Sequence, residues 1–279
     1  MAGYFFYPAI LLNNMISKIL KALILDMDGV LWKEDTIIGD LPKIFAQINE
    51  KGLRVGFATN NSTRTPKKYI ERLEKNGVRD LDPRYVITSS IALADEISNR
   101  FPVKGDVFVI GEEGLKNALR EAGFTVIESK PSNKIVAVVV GIDRKINFDK
   151  LKAATLLIRK GIPFYGTNPD RTFPTPEGLI LGTGSLLAAL VASTDVSPKI
   201  FGKPSPKMIA MARNRLAVEP VETLVVGDRL DTDIASGQAD GCHTALVFSG
   251  ISNRSDMEKW NPKPDYCAES LSDLLEDNG

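Results

Sequence analysis

The run Ala22-Leu23-Ile24-Leu25-Asp26-Met27-Asp28-Gly29-Val30 joins an aliphatic segment to two aspartates and a glycine. A short, continuous aliphatic segment is typical of a strand that is covered on both faces, as in a parallel sheet. In open parallel sheets, ligand sites lie at the carboxyl ends of the strands. If the chain stays extended for one more step, Asp26 and Asp28 point to the same side. The segment therefore predicts either a reactive pair of carboxylates or an ordinary turn, because Asp and Gly also commonly end strands.

The composition is that of a globular protein without overall charge. Its 279 residues are enough for one large domain or two medium ones. Lys plus Arg and Asp plus Glu both number 35, so no net charge attracts nucleic acid or an anionic membrane surface. Cys242 and Cys267 form neither a disulfide framework nor a metal-binding motif, which favours a reduced, cytoplasmic setting. The single histidine, His243, excludes His-rich metal sites and is expected at the edge of a strand.

Residues 1–20 are expected to form an N-terminal extension to the folded core. The segment from Tyr4 to Leu12 is apolar but too short to span a bilayer, and it lacks the flanks of a secretory signal. Because Met15-Ile16-Ser17-Lys18 leads directly into the first strand, we expect native translation to start at Met15. Peripheral membrane attachment is the alternative for this segment.

Apolar runs alternate with amphipathic stretches along most of the chain. This alternation predicts an α/β fold with a Rossmann-like, doubly wound parallel sheet flanked by helices. The runs assigned to this sheet are Ala22–Leu25, Arg54–Thr59, Tyr85–Thr88, Thr223–Gly227 and Thr244–Phe248.

The middle of the chain repeats the same alternation and predicts a smaller inserted α/β domain. Its expected strands are Val107–Ile110, Val136–Val140 and Ile162–Tyr165, with helices at about residues 114–122 and 148–159. Gly182-Thr183-Gly184 is the expected hinge at which the chain returns to the larger domain. We therefore predict a core formed by residues 21–87 and 183–279, with residues 88–182 inserted.

Polar groups follow the second strand and precede a later helix. Thr59-Asn60-Asn61-Ser62 could offer a hydroxyl and backbone N–H groups to an anion, or could simply cap a helix. Gly202-Lys203-Pro204-Ser205-Pro206 holds Lys203 in a stiff turn, which favours a fixed positive charge over a solvated lysine.

A third polar cluster, Gly227-Asp228-Arg229-Leu230-Asp231-Thr232-Asp233, ends an apolar run in three carboxylates. Such carboxylates repel one another unless a cation neutralises them. Hard oxygen ligands without His or Cys nearby indicate Mg²⁺. We expect Asp231 to be the least involved of the three and Arg229 to be peripheral.

In this order, the segments resemble the four motifs of the haloacid dehalogenase superfamily phosphatases. The motifs are Asp26-Met27-Asp28-Gly29-Val30, Thr59-Asn60, Lys203, and Gly227-Asp228 with Asp233. About thirty residues separate Asp28 from Thr59, and more than a hundred separate Thr59 from Lys203, which places the insertion between the second and third motifs. With Thr167-Asn168-Pro169-Asp170 inside the insertion, the arrangement is similar to the NagD-type branch, which includes 4-nitrophenylphosphatases.

The resemblance implies a Mg²⁺-dependent phosphatase that hydrolyses small phosphomonoesters, including 4-nitrophenyl phosphate, through an aspartyl phosphate. Asp26 would be the nucleophile, and Asp28 would serve as general acid and then general base. Mg²⁺ would be bound by Asp26, Asp28 through its backbone carbonyl, and Asp228, with Asp233 orienting metal waters or Lys203. The phosphoryl oxygens would be bound by Thr59, the Asn60 backbone N–H and Lys203.

The inserted domain would act as a lid over small phosphorylated metabolites. Asn168 and Asp170 are candidates for substrate contacts, although an Asn-Pro-Asp sequence also forms turns. The resemblance further implies a possible homodimer through the inserted domain. Two functional alternatives remain open: a phosphotransferase, and a phosphate-binding protein that has kept the fold without turnover.

Overall fold

The computed structural model describes residues 19–129, 134–175 and 177–276. The expected start at Met15, and the extension before it, lie outside the described residues. The chain divides into two compact units. The first contains the residues up to Ala58, Ile70–Val86, and the chain from Lys203 onward, and the second contains Thr59–Tyr69 and Ile87–Gly202.

The strands follow one another along the chain as β1 (Ala22–Leu25), β2 (Trp32–Lys33), β3 (Thr36–Ile37), β4 (Arg54–Thr59), β5 (Val86–Thr88), β6 (Asp106–Ile110), β7 (Thr125–Ile127), β8 (Ile135–Val140), β9 (Phe164–Gly166), β10 (Thr172–Thr175), β11 (Gly178–Leu181), β12 (Lys199–Ile200), β13 (Thr223–Gly227), β14 (His243–Val247) and β15 (Tyr266–Ala268). The α-helices are α1 (Leu41–Glu50), α2 (Pro66–Lys75), α3 (Ser89–Arg100), α4 (Glu113–Glu121), α5 (Phe148–Arg159), α6 (Thr183–Thr194), α7 (Lys207–Leu216), α8 (Ala235–Ala239), α9 (Arg254–Lys259) and α10 (Leu271–Leu275).

The first unit is built on a parallel sheet in the order β15-β14-β13-β1-β4-β5. β1 lies in its interior, with Ala22 beside Thr223 of β13 on one side and beside Arg54 of β4 on the other. All four residues of β1 are buried, as expected for a strand covered on both faces. The predicted α/β class with a parallel sheet is confirmed. His243 is the first residue of β14, at the strand end where it was expected.

Local sequence explains how α1 begins and packs. The Asp40 side chain accepts a hydrogen bond from Lys43 N at 3.2 Å and caps the helix. Leu41, Ile44 and Ile48 recur at helical spacing and are buried. The helix therefore begins at Leu41, directly after its cap, and packs through this apolar face.

The second unit contains a five-stranded sheet in the order β12-β9-β8-β6-β7, whose pairs are all parallel. Side-chain alternation along β6 supplies two separate cores. Val107 and Val109 pack with residues of α3 and α4, whereas Phe108 and Ile110 pack with residues of α5 and α6. The sheet is thus covered by helices on both faces, and β10 and β11 form an additional antiparallel hairpin.

The second unit continues beyond the predicted hinge at Gly182. Leu186, Leu187 and Leu190 of α6 belong to one of its cores, and β12 pairs with β9 through Lys199 and Tyr165. The compact unit consequently ends at Gly202 rather than at residue 182. A two-residue strand has no periodicity, so no pattern in the sequence predicts β12.

Across residues 19–129, 134–175 and 177–276, no helix combines the length and the hydrophobicity that crossing a bilayer requires.

Candidate active site

Asp26 directly follows β1 at the carboxyl edge of the first sheet. Its backbone N–H donates to Val226 O at 2.9 Å, which continues the ladder to β13 by one residue. Asp26 is only 9% exposed. The carboxylate predicted at the end of this strand therefore lies at the centre of the sheet edge and is almost completely buried.

Lys203 is the counter-charge of this carboxylate. The side chain is buried, and its Nζ lies 2.7 Å from Asp26 Oδ1, 2.5 Å from Asp233 Oδ1 and 2.7 Å from Ala58 O. An ammonium group has three N–H donors, and here three oxygens surround it. The alternative of a solvated loop lysine is excluded by this burial.

Asp228 directly follows β13, and the backbone around it fixes its position. Its Oδ2 accepts from Ile251 N at 2.7 Å, and its backbone oxygen accepts from Ser252 N at 3.0 Å. Gly29 approaches so closely that a Cβ there would lie 2.5 Å from Asp228 Cγ. Asp228 Oδ1 is buried and has no hydrogen-bond partner among the residues that the structure describes.

Asp233 lies on a single π-helical turn, Leu230–Ile234, of the kind often found at functional sites. Its Oδ2 accepts from Arg229 N at 3.0 Å, while Oδ1 faces Lys203. Both oxygens are therefore engaged with protein donors. Arg229 itself pairs with Asp231 at the surface, with Nη2 and Oδ2 2.9 Å apart.

The electrostatics of this cluster oppose full ionisation. Carboxylate oxygens of Asp26, Asp228 and Asp233 lie within 4.8 Å of one another, with one ammonium among them. Burial raises the pKa of Asp26 well above its ordinary value; Lys203 lowers it, and the other two carboxylates raise it further. Burial and the charge of Asp233 raise the pKa of Asp228 to about 7. Burial would lower the pKa of Lys203, but Asp233 and Asp26 outweigh it and raise that pKa.

These features fit a divalent cation with a preference for oxygen ligands. Three carboxylates beside one ammonium leave an excess of negative charge, and Asp228 Oδ1 is a buried acceptor without a donor. Asp26 and Asp228 each have one oxygen bound to a protein donor, so each can offer its other oxygen. Asp233 is ion-paired with Lys203 through Oδ1 and accepts from Arg229 N through Oδ2, which suits a role beside the ligands rather than among them.

The Asp28 side chain is engaged by a residue that the sequence analysis did not single out. Trp32 Nε1 donates to Asp28 Oδ1 at 2.9 Å, and Trp32 is fully buried. A signal was available in the sequence, because a buried indole N–H needs an acceptor and Asp28 lies four residues away. What could not be foreseen is the tight turn, closed by β2 and β3, that brings them together.

Thr59 and Asn60 belong to the second unit. Thr59 is buried, and its Oγ1 accepts from Asn61 N at 3.1 Å. The Asn60 backbone oxygen accepts from Ser89 Oγ at 2.7 Å and from Asn168 Nδ2 at 2.8 Å. The loop that carries these two predicted phosphate-binding residues is therefore fixed by hydrogen bonds from other segments of its own unit.

Asn168 and Asp170 lie in the same unit and meet Asn60. Asn168 is buried, and its Oδ1 accepts from Asp170 N at 3.1 Å, which is the hydrogen bond of an Asx turn. Asp170 Oδ2 accepts from Asn60 Nδ2 at 3.2 Å. Asn168 thus has the contacts expected of the turn-forming alternative, whereas the contact with substrate predicted for both residues stays a prediction.

Comparison with known families gives matches over both parts of the chain that carry the motifs. Residues 23–125 match the family model described as haloacid dehalogenase-like hydrolase, and residues 200–274 match a second model described as HAD-hydrolase-like. An acid sugar phosphatase of Staphylococcus aureus is 36% identical over 255 residues, which are 91% of this chain and 96% of that protein.

Solved structures resemble the chain over nearly its whole length. A 4-nitrophenylphosphatase from Thermotoga maritima has a TM-score of 0.85 at 31% identity, covering 94% of this chain and 98% of that one. NagD from E. coli K-12 has a TM-score of 0.80 at 31% identity, covering 91% and 97%. A glycerol phosphate phosphatase from Mycobacterium tuberculosis, in complex with magnesium, has a TM-score of 0.86 at 30% identity, covering 94% and 78%.

Proposed function

Because the chain belongs to the haloacid dehalogenase-like hydrolases and is a phosphatase of that family, we propose that it hydrolyses small phosphomonoesters through an aspartyl phosphate on Asp26, assisted by Mg²⁺. One observation carries the proposal. Asp26 Oδ1 is fixed at 2.7 Å from Lys203 Nζ in a cluster where Asp228 presents an acceptor without a donor. An oriented carboxylate that can act as nucleophile thus lies beside an oxygen suited to a cation.

In the first step, an oxygen of Asp26 attacks phosphorus while the bond from phosphorus to the ester oxygen breaks. The electron pair goes to that ester oxygen, and the Asp28 carboxyl transfers its proton there. In the second step, the Asp28 carboxylate takes a proton from water as the water oxygen bonds to phosphorus. The bond between phosphorus and Asp26 then breaks, and its electron pair returns to the carboxylate.

Lys203 has two tasks in this scheme. Its ammonium group fixes one oxygen of Asp26 and favours the ionised form that attacks. With Thr59 and the Asn60 backbone N–H, it would also bind the phosphoryl oxygens, where charge develops during transfer.

The ligands that we propose for the metal are those that the resemblance implies. Asp26, Asp228 and the backbone carbonyl of Asp28 would hold Mg²⁺, which offsets the repulsion between an anionic nucleophile and a dianionic ester. Asp233 would orient Lys203, because its two oxygens already accept from protein groups. The magnesium complex of the M. tuberculosis neighbour supports the choice of ion.

Sugar and polyol monophosphates are the substrates that the relatives suggest first. One relative is named an acid sugar phosphatase, and one structural neighbour is named a glycerol phosphate phosphatase. We propose a small phosphorylated metabolite of this class, with Asn168 and Asp170 near its leaving group. We also propose a cytoplasmic location, which is supported by Cys242 and Cys267 being free thiols.

The test is a 4-nitrophenyl phosphate assay with Mg²⁺, then with excess chelator, followed by trapping of the intermediate. We expect release of nitrophenolate that stops with chelator. Acid quenching and borohydride reduction should convert residue 26 to homoserine, which mass spectrometry can locate. No chelator-sensitive release would favour the idle phosphate-binding protein, and reduction at another residue would refute Asp26 as nucleophile. With glycerol as acceptor, nitrophenolate in excess over phosphate would indicate a phosphotransferase.

A further inference from the structure

The indole of Trp32 is joined to Asp28 by both side chain and backbone. Its Nε1 donates to Asp28 Oδ1 at 2.9 Å. The backbone oxygen of Trp32 accepts from Gly29 N at 2.7 Å, and Asp28 and Trp32 form an isolated bridge. The five residues from Asp28 to Trp32 thus make a closed turn that places the two side chains beside each other.

A cation also packs against one face of the Trp32 ring. Arg72 of α2 places its Cζ 4.1 Å from the centre of the Trp32 ring, a cation–π distance. The same guanidinium donates to the backbone oxygen of Glu34, in the turn between β2 and β3. Trp32 is fully buried, so the indole has one orientation and a defined aim for its N–H.

We propose that Trp32 is a positioning residue for the general acid, because its indole N–H occupies Asp28 Oδ1 and leaves Oδ2 to carry the proton that the leaving group receives. This inference rests on the proposed function, in which Asp28 protonates the ester oxygen. An indole N–H donates but cannot accept, so it favours the carboxyl oxygen that bears no proton, which is the better acceptor. When Asp28 is protonated, the proton therefore lies on Oδ2, and the carboxyl plane is fixed by the bond to Oδ1.

The test uses the dependence of kcat/KM on the leaving group. A positioned acid matters most for a poor leaving group, such as the alkoxide of glycerol phosphate, and least for 4-nitrophenolate, which leaves without protonation. For Trp32→Phe we expect kcat/KM on glycerol phosphate to fall about tenfold more than on 4-nitrophenyl phosphate, a fraction of what general acids contribute. Because kcat/KM covers only the steps up to loss of the leaving group, hydrolysis of the phosphoenzyme does not affect it.

Trp260→Phe is the matched control. It removes the other tryptophan of the chain, whose Nε1 donates to Gln238 Oε1 at 3.3 Å. We expect the ratio of kcat/KM values on the two substrates to stay at the wild-type value. An equal fall of kcat/KM on both substrates in Trp32→Phe would overturn the inference. Loss of a purely structural contact would lower kcat/KM on all substrates alike.

Asp28→Asn separates failure of this inference from failure of the proposed function. If Asp28→Asn lowers kcat/KM equally on the two substrates, the general-acid role is wrong, and the inference about Trp32 is wrong as well. If Asp28→Asn lowers kcat/KM more on glycerol phosphate than on 4-nitrophenyl phosphate but Trp32→Phe does not, only the role of Trp32 is refuted.

A second measurement does not depend on activity or on the fold of Trp32→Phe. The two tryptophans give two indole N–H signals in a ¹⁵N–¹H spectrum, and Trp260→Phe identifies which belongs to Trp32. We expect Asp28→Asn to shift the Trp32 signal and leave the Trp260 signal in place. An unmoved Trp32 signal would show that the indole does not bond to Asp28 and would overturn the inference.

Discussion

Asp26 is buried, yet in the proposed mechanism it must be ionised to attack phosphorus. Burial raises its pKa, and Lys203 opposes that shift from 2.7 Å. The nearby carboxylates Asp233 and Asp228 raise the pKa further. Lys203 therefore opposes the effect of burial on the pKa of Asp26 without cancelling it, and a bound cation would favour the ionised form further.

Removing the nucleophile should abolish turnover while its surroundings persist. For Asp26→Asn we expect kcat/KM on 4-nitrophenyl phosphate to fall about a thousandfold or more, since covalent catalysis is lost. Asp231→Asn is the matched control, because its side chain is 64% exposed and pairs with Arg229 at the surface. Its activity should remain within twofold of wild type, whereas activity of Asp26→Asn within tenfold of wild type would contradict the assignment.

The raised pKa of Asp228 predicts how stability depends on pH and on Mg²⁺. Its pKa rises from 3.8 to about 7, so between these values the folded protein binds a proton that the unfolded chain has lost. In chelator, this group makes stability fall as pH rises from about 4 to about 7. Mg²⁺ needs the ionised form, so the increase in Tm that it causes should be larger at pH 8 than at pH 5.

Thermal unfolding at both pH values, with Mg²⁺ and with chelator, measures this effect. Asp228→Asn should lose most of the increment at pH 8, because its amide carries no charge and is a weaker ligand. Equal increments at pH 5 and pH 8 in the wild-type protein would count against Asp228 as the pH-sensitive ligand.

At the scale of elements, the turn after β1 depends on a glycine. Gly29 has φ +89°, and a Cβ there would press against the Asp228 carboxylate. Gly29→Ala should lower the free energy of unfolding by roughly 2 kcal/mol or more and displace Asp228, since both strain and overlap arise. Gly52→Ala is the control, with φ +69° and nothing within 4 Å of the added Cβ, and should cost about 1 kcal/mol. Urea titrations compare the two, and equal losses would show that the close approach is unimportant.

Asn168 donates a hydrogen bond to the loop after β4, and a substitution that replaces its amide nitrogen by oxygen tests this bond. Asn168→Asp keeps an oxygen for Asp170 N but replaces the donor to Asn60 O, so a carboxylate oxygen then faces a carbonyl oxygen. We expect weaker inhibition by inorganic phosphate, by about tenfold, because Asn60 is a predicted phosphate ligand. Asn147→Asp, at the N-cap of α5, is the matched change in the same unit and should have no effect. Unchanged phosphate inhibition in Asn168→Asp would contradict the link.

The elements that sequence predicts well are those whose environment leaves a regular pattern. Arg54–Thr59 and Thr223–Gly227 coincide with β4 and β13, because strands inside a parallel sheet are continuous apolar runs. The helix predicted at 148–159 coincides with α5. The short strands β2, β3 and β12 leave no such pattern, since their pairing is decided by turns and by distant neighbours.

The candidate site likewise contains residues whose positions the sequence predicts and contacts that it does not predict. The positions of Asp26 and Asp228 follow from the rule that polar residues after parallel strands meet at one sheet edge. The bonds from Trp32 to Asp28 and from Asn168 to Asn60 depend on tight turns and on residues 108 positions apart. Sequence spacing carries no information on the contact between Asn168 and Asn60, whereas for Trp32 and Asp28 it indicates a contact only once the turn between them is known.

At the scale of the whole molecule, the predicted homodimer has a candidate surface in the second unit. β10 and β11 form a sheet of two strands, so the outer edge of each is unpaired within it. Leu179 and Leu181, on one face of β11, are 68% and 65% exposed. Unpaired edges and neighbouring exposed leucines are features that association with a second copy would bury.

Light scattering should therefore give a mass of about 61 kDa, twice the 30.5 kDa of one chain. Replacing Leu179 and Leu181 by Asp should yield monomers, because charges at a buried apolar contact are costly. Phe148→Asp changes a side chain that is 79% exposed on α5 and should leave the dimer intact. A wild-type mass near 30 kDa would refute the dimer. A dimer that survives the double substitution would place the interface elsewhere, since two unpaired aspartates per chain would otherwise oppose association.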